Sequence, residues 1–124
     1  MAKKILIMDD EELIIKTLSK LLERENFEIL IAKNGQDAIA MADEEEFDLI
    51  VADIRMPGMN GVRAVENIYD SLQKNNLKKI PVIFITGYAD ESAEGQAKEL
   101  KPVGYIYKPF NMPDLLDVVK EVLK

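Results

Sequence analysis

The sequence has no cysteine and no histidine in 124 residues. Without cysteine there is no disulfide framework and no thiolate nucleophile, which fits a reducing compartment. Without histidine, His-based catalytic triads and His-ligated metals are excluded. Basic charge is also scarce, with 16 Lys and Arg against 23 Asp and Glu and a net charge of -7. Such a surface repels a nucleic-acid backbone, so direct nucleic-acid binding is not expected. Long apolar runs are missing too. The amino terminus, MAKKILIMDD, has one short apolar run ended by two acids, too short for a signal peptide or a membrane span. There is no repeat at solenoid periods and no low-complexity tract.

What is present alternates. The composition, 48% hydrophobic and 31% charged, suits one globular domain large enough to fold without staples. An apolar strand over Lys4–Met8 ends at Asp9 and Asp10. Residues 11–25 read as a helix, with Ile14, Leu18, Leu21 and Leu22 at helical spacing and acids at its amino end. A second strand over Glu28–Ala32 closes at Asn34 and Gly35; Ala38, Ile39, Met41 and Ala42 mark the next helix, finishing in the acid run 43–45. Residues 49–52 are wholly apolar and rich in β-branched side chains, the pattern of a strand buried on both faces, and Asp53 follows at once. Pro57, Gly58, Asn60 and Gly61 break regular structure after it. Val62, Val65, Ile68, Tyr69 and Leu72 give a third helix, residues 81–86 a fourth strand, and 92–100 a fourth helix weakened by Gly95. Gly104–Tyr107 is the last strand, ending at Lys108 and Pro109. Pro113 opens the last helix, with Leu115, Leu116, Val119, Val122 and Leu123 inward.

Five βα units leave no residues for a second domain, so one domain over 1–124 is expected. Alternation with helical crossovers predicts a parallel sheet covered on both faces. The expected fold is a flavodoxin-like, doubly wound (βα)5 three-layer sandwich of strand order 2-1-3-4-5.

In a parallel sheet the carboxyl ends of the strands share one edge, where such folds place their ligands. Strand one delivers Asp9 and Asp10, strand three Asp53, strand four Thr86 and strand five Lys108. Three carboxylates so close cannot all stay ionised without a cation. Oxygen ligands with no His or Cys select a hard ion such as Mg²⁺. With the metal and Lys108 the charge balances, and the pocket suits a phosphoryl group: one carboxylate attacks, the cations stabilise its oxygens, and Thr86 donates a hydrogen bond.

Asp9-Asp10 after strand one, Asp53 followed by Met56-Pro57-Gly58, Thr86, and Lys108-Pro109-Phe110 together form a specific set. On these motifs the chain resembles a response-regulator receiver domain of two-component signalling, CheY-like and of the stand-alone type, over its whole length. The resemblance implies that Asp53 is the phosphoacceptor. It implies that Asp10 and Asp53 bind Mg²⁺, with Asp9 acting through water and the backbone carbonyl of Arg55 completing the site. Lys108 would contact the phosphoryl group, Thr86 and Tyr105 would be the switch pair, and the Lys108-Pro109 bond would be cis. The implied partner is a sensor histidine kinase or a histidine phosphotransfer protein in the cytoplasm, with no membrane contact. The domain would be no enzyme in the ordinary sense, catalysing only its own phosphorylation and dephosphorylation.

The chain departs from the family pattern in places. Gly87 follows Thr86 where many relatives have Ala, which should open an acyl phosphate to water. Lys101-Pro102-Val103-Gly104 lacks the acid pair that one DNA-binding subfamily uses for dimerisation, and the last helix has no Arg to match. A monomer or weak dimer is therefore expected. For kinase docking, Leu13 lies about 140° from Leu18 on a helical wheel. It is expected to be exposed beside Ile14, Pro109 and Phe110. Three other readings compete. A flavodoxin-like cofactor binder would need phosphate donors in the first loop, where Asp9, Asp10, Glu11 and Glu12 stand instead. A non-phosphorylated interaction module would not need the complete set of reactive residues. An aspartyl-phosphate phosphatase usually has a second Asp two positions after its nucleophile, where this chain has Arg55.

Overall fold

The computed structural model describes residues 2–87 and 91–124. Strands β1 (Lys4–Met8), β2 (Glu28–Ala32), β3 (Leu49–Asp53), β4 (Val82–Thr86) and β5 (Gly104–Tyr107) alternate with helices α1 (Glu12–Arg24), α2 (Gly35–Glu44), α3 (Gly61–Lys74), α4 (Glu91–Glu99) and α5 (Met112–Val122). The strands form one parallel sheet in the order β2-β1-β3-β4-β5, the expected topology.

The sheet sorts its side chains by the two-residue period of a strand. Leu6, Met8, Ile50, Ala52, Val82 and Phe84 face one layer, packed with residues of α2, α3 and α4 such as Ala38, Val65, Ile68 and Ala97. Ile5, Ile7, Leu49, Val51, Ile83 and Ile85 face the other, against Leu18 and Leu22 of α1 and Leu115 and Val119 of α5. β3 and β4 are buried at every position, whereas the edge strands β2 and β5 are largely half-buried. That contrast explains why the central strands read as unbroken apolar runs.

In α1 the inward face is Ile15, Leu18 and Leu22, with Ile14 half-buried at its shoulder and Leu21 likewise. Leu18, the expected centre of this face, and Leu22 are inward as read, Ile14 and Leu21 flank them, and Ile15 is the buried residue that the reading left out. Leu13-Ile14-Ile15 offers three apolar residues in a row, and periodicity alone does not say which of them faces the sheet. Burying each of the three inward residues contributes about 1.5–3 kcal/mol.

Asparagines start three of the helices. The Asn34, Asn60 and Asn111 side chains accept hydrogen bonds from the backbone N–H groups of Asp37, Arg63 and Asp114. α1 differs. Glu11 occupies its cap position in an extended conformation and makes no side-chain cap. Its carboxylate is engaged elsewhere.

Candidate functional site

Register alone brings the carboxyl ends of the strands together. Met8 pairs with Ala52, Asp53 with Ile85, and Thr86 with Tyr107, so Asp9, Asp53, Thr86 and Lys108 emerge along one edge. Among the described residues, the buried polar or charged side chains are Asp9, Asp53 and Thr86, at 1%, 3% and 2% exposure. All three belong to this edge. Since burying a carboxylate is costly, their concentration here singles out this edge as the candidate site. Oxygens of Asp9, Asp10 and Asp53 lie within 4.8 Å of one another, with Asp10 on the exposed side.

Each buried carboxylate is held differently. Asp53 accepts the Arg55 backbone N–H at Oδ1 (3.1 Å) and the Lys108 ammonium at Oδ2 (3.2 Å). Both oxygens are thereby aimed. Burial pushes the Asp53 carboxyl above its ordinary value, more strongly than Lys108 and the Arg55 N–H pull it down. Asp9 accepts the Glu11 N–H at Oδ1 (2.9 Å). Its buried Oδ2 has no hydrogen-bond partner. Burial, with the Asp53 charge adding, pushes Asp9 up to about 6 against the Glu11 N–H and Lys108.

Lys108 carries the positive charge of the site. Its ammonium lies 3.2 Å from Asp53 Oδ2 and 2.7 Å from Glu11 Oε1. Burial alone would lower its pKa; the Glu11 hydrogen bond and the Asp53 and Asp9 charges reverse that and raise it. Its backbone N–H donates to the Thr86 carbonyl (2.7 Å), and the following Lys108-Pro109 bond is cis. Asp10 and Arg55 line a cleft of about 370 Å³ together with Ile54, Met56, Pro57, Asn60 and Ala93. Three converging carboxylates, one with an unpaired buried oxygen, and no nitrogen or sulfur ligand among them fit a hard divalent cation.

Two residues that the sequence analysis did not assign to the site shape it. Glu11, read as an acid placed for the helix dipole, pairs with Lys108. Gly61, read as a breaker, permits a close approach: a Cβ there would stand 2.2 Å from the Asp53 carbonyl oxygen, while its N–H donates to the Ile54 carbonyl (2.8 Å). The start of α3 is thus pressed onto the strand that carries Asp53. The Asn60-Gly61 pair, a cap followed by the smallest residue, was the signal available for it.

Tyr105 is half-buried on β5, its ring 6.5 Å from that of Phe84, with which it is in register. The residue directly across from Thr86 is Tyr107. The Tyr105 and Tyr107 rings are 5.2 Å apart, and the Tyr107 hydroxyl donates to the Glu94 carboxylate of α4. Sequence reasoning left Tyr107 out. Leu13 is 75% exposed, as expected, and lines a groove between α1 and α5 with Leu21 and Met112. Ile14 and Phe110 both pack on the α1–α5 core, while Pro109 is exposed and lies outside the groove.

Comparisons with known proteins point to one family. A family model described as the response regulator receiver domain matches residues 5–120. The transcriptional regulatory protein ResD of Bacillus subtilis is 37% identical over 121 residues, covering 98% of this chain and 48% of ResD. SrrA of Staphylococcus aureus, also a transcriptional regulatory protein, is 34% identical over 124 residues, all of this chain and 49% of SrrA. The chain therefore spans about half the length of these curated relatives. Among solved structures, a CheY-like response regulator receiver domain protein from Methanospirillum hungatei superposes with a TM-score of 0.87 at 31% identity, covering 98% of this chain and 93% of that one. CheY4, a chemotaxis protein of Vibrio cholerae, gives 0.85 at 28% identity over 98% and 99%.

Proposed function

The chain belongs to the response regulator receiver family of two-component signalling, and from that premise we propose that Asp53 is its phosphoacceptor. The observation that carries this reading is the Asp53 carboxylate, buried at the carboxyl edge of the sheet with each oxygen oriented by a separate donor. The donor is a phosphohistidine of a sensor kinase or a histidine phosphotransfer protein. An Asp53 oxygen bonds to phosphorus as the P–N bond breaks. The departing ring, protonated on its other nitrogen, keeps the bonding pair and leaves as neutral imidazole. Water attacking phosphorus later regenerates the carboxylate and releases phosphate.

The cation that fits the acid cluster is Mg²⁺, which Asp10, Asp53 and the Arg55 carbonyl would hold, with Asp9 acting through water. When bound it neutralises the acids and polarises phosphoryl oxygens. Lys108 pairs with a phosphoryl oxygen, Thr86 donates its hydroxyl to another, and Tyr105 follows Thr86. Leu13 and Ile14, with Pro109 and Phe110 at the adjoining loop, form the apolar contact for the kinase's helices.

The output is control of a protein partner, or relay to another histidine, in the cytoplasm. A monomer or weak dimer suffices for either. No helix among the described residues is long and apolar enough to cross a membrane. Transcriptional control, as in the names of ResD and SrrA, concerns proteins about twice this span. The cofactor-binder and inert-module readings are not favoured: the first loop is acidic, and the chain belongs to the receiver family.

The test is labelling by acetyl phosphate followed by intact mass. Wild type should gain one phosphoryl group with Mg²⁺ and lose that ability in excess chelator; Asp53→Asn should stay unlabelled. Undiminished labelling of that variant would remove Asp53 from the role. With the cognate phosphorylated kinase as donor, Leu13→Ser should slow transfer severalfold while leaving the acetyl phosphate rate alone; an unchanged kinase rate would remove Leu13 from the contact.

A further inference from the structure

We infer that Glu11 is a positioning residue that competes with the phosphoryl group for the Lys108 ammonium and thereby slows phosphorylation of Asp53. The inference rests on the reading of Asp53 as phosphoacceptor. Its basis is a competition visible in the distances. The Lys108 ammonium is 2.7 Å from Glu11 Oε1 but 3.2 Å from Asp53 Oδ2, so its closer partner is a carboxylate that does not react. The Lys108 side chain is 19% exposed and Asp53 3%, whereas Glu11 is 56% exposed. Glu11 is thus the one member of the trio that can swing into water when another anion claims the lysine.

The local chain explains why Glu11 is free to do this. At the cap position of α1 a short side chain would bond the backbone N–H groups of the first turn, as the asparagines of α2, α3 and α5 do. Glu11 is one methylene too long to favour that contact, makes no side-chain cap, and reaches Lys108 instead. Its backbone N–H is meanwhile committed to Asp9 Oδ1, which anchors the residue over the site.

The consequence follows from differential contacts. For acetyl phosphate, the Asp53 O–P bond forms, the donor's P–O bond breaks, and acetate leaves with the bonding pair; no proton moves. The lysine contact that helps is the one to the phosphoryl oxygens. A ground-state contact to Glu11 must be surrendered to make it, so it raises the barrier. Glu11 also adds a negative charge where an anionic donor approaches. Removing the contact should speed phosphorylation roughly two- to fivefold, the effect of a half-exposed charge pair.

The experiment measures acetyl phosphate labelling of the intact chain with Mg²⁺ in Glu11→Gln, Glu11→Asp and Glu12→Gln. Glu12 is the matched control: it carries the same charge one residue on, but its carboxylate pairs with Lys33. Glu11→Gln should accelerate labelling roughly two- to fivefold. Glu11→Asp, which keeps the charge but is too short for the contact, should follow it, and Glu12→Gln should label at the wild-type rate. Added salt should narrow the gap between wild type and Glu11→Gln. An unchanged or slower Glu11→Gln overturns the inference, and so does equal acceleration by Glu12→Gln, which would mean a general field rather than a contact. If wild type takes no label under any condition, the phosphoacceptor reading fails instead. The Lys108 ammonium resonance, compared between wild type and Glu11→Gln at pH 7, then decides the contact by itself: no shift overturns it.

Discussion

Asp9 places a buried carboxylate oxygen where no donor reaches it, and that gives metal-free stability a definite pH dependence. Burial raises the group from 3.8 to about 6, so the folded chain holds this proton more tightly than the unfolded chain. The stabilisation is complete below about pH 4 and lost as pH rises through 6. Over that interval a group so fully buried costs on the order of 3 kcal/mol, at about 1.36 kcal/mol per pH unit. Asp53, also raised chiefly by burial, pushes in the same direction. In chelator, the denaturant midpoint should therefore climb between pH 7.5 and pH 5, and Asp9→Asn should flatten most of that climb while stabilising the chain at pH 7.5. A wild-type midpoint that falls over this interval would contradict the assignment. Asp9, Asp53, Thr86 and Lys108 were legible in the sequence because each directly ends a strand, and strand ends in a parallel sheet must converge. Glu11 and Gly61 were not. Their roles depend on which way one side chain turns and on a 2.2 Å approach that only a missing Cβ allows, and neither leaves a periodic trace.

The elements around the site differ in how firmly they are held. α3 buries six residues and is pinned at its start by Gly61. α4 has nine residues, and of these Ala93 and Ala97 are the hydrophobic ones buried in the core. A Cβ on Gly95 would meet nothing within 4 Å. Two alanines bury little apolar area, so α4 should open at lower free energy than the rest. That weakness could be read from composition alone. Its tie to β5 could not, because the Tyr107–Glu94 hydrogen bond depends on how two surface side chains meet. The tie matters for switching, since Tyr107 stands in register with Thr86 and its ring contacts that of Tyr105. Were Thr86 to move on phosphorylation, as proposed, the movement would have a path to α4 through both tyrosines. A full swing from about 1% to 99% active needs roughly 5.5 kcal/mol, and one hydrogen bond to a charged group supplies about 1.5–3. In the proposed switch Thr86 would therefore share the work with Lys108 and the metal, and a partial shift is expected. Thr86→Ala should leave Asp53 labelling within about threefold of wild type, yet blunt the change in tyrosine resonances and α4 amide exchange caused by a phosphoryl mimic. A full wild-type response in that variant would break the coupling.

At the scale of the whole molecule, the order of the elements determines the sheet, and the two-sided core follows from the apolar runs of β1, β3 and β4. Charge is the property that fold leaves unbalanced. The chain carries -7 overall, and three of its carboxylates crowd within 4.8 Å at one edge. Mg²⁺ should stabilise the protein in two separable ways: weak screening of the net charge, which any salt provides, and specific occupation of the acid cluster, which salt does not. The second follows mass action. At a hundredfold excess over its dissociation constant, a ligand that binds only the folded state adds about 2.7 kcal/mol, or roughly 10 °C in melting temperature for a chain of this size. Asp10 separates the two contributions. It is exposed and contributes to the cluster without being needed for the core. Asp10→Ala should leave metal-free stability equal or slightly higher, because a like charge is gone, and should lose most of the Mg²⁺ increment. The measurement is thermal unfolding of both proteins in chelator, in Mg²⁺, and in NaCl of matched ionic strength. If NaCl reproduces the Mg²⁺ increment in wild type, or Asp10→Ala retains all of it, the stabilisation is screening alone, and the three carboxylates do not form a cation site.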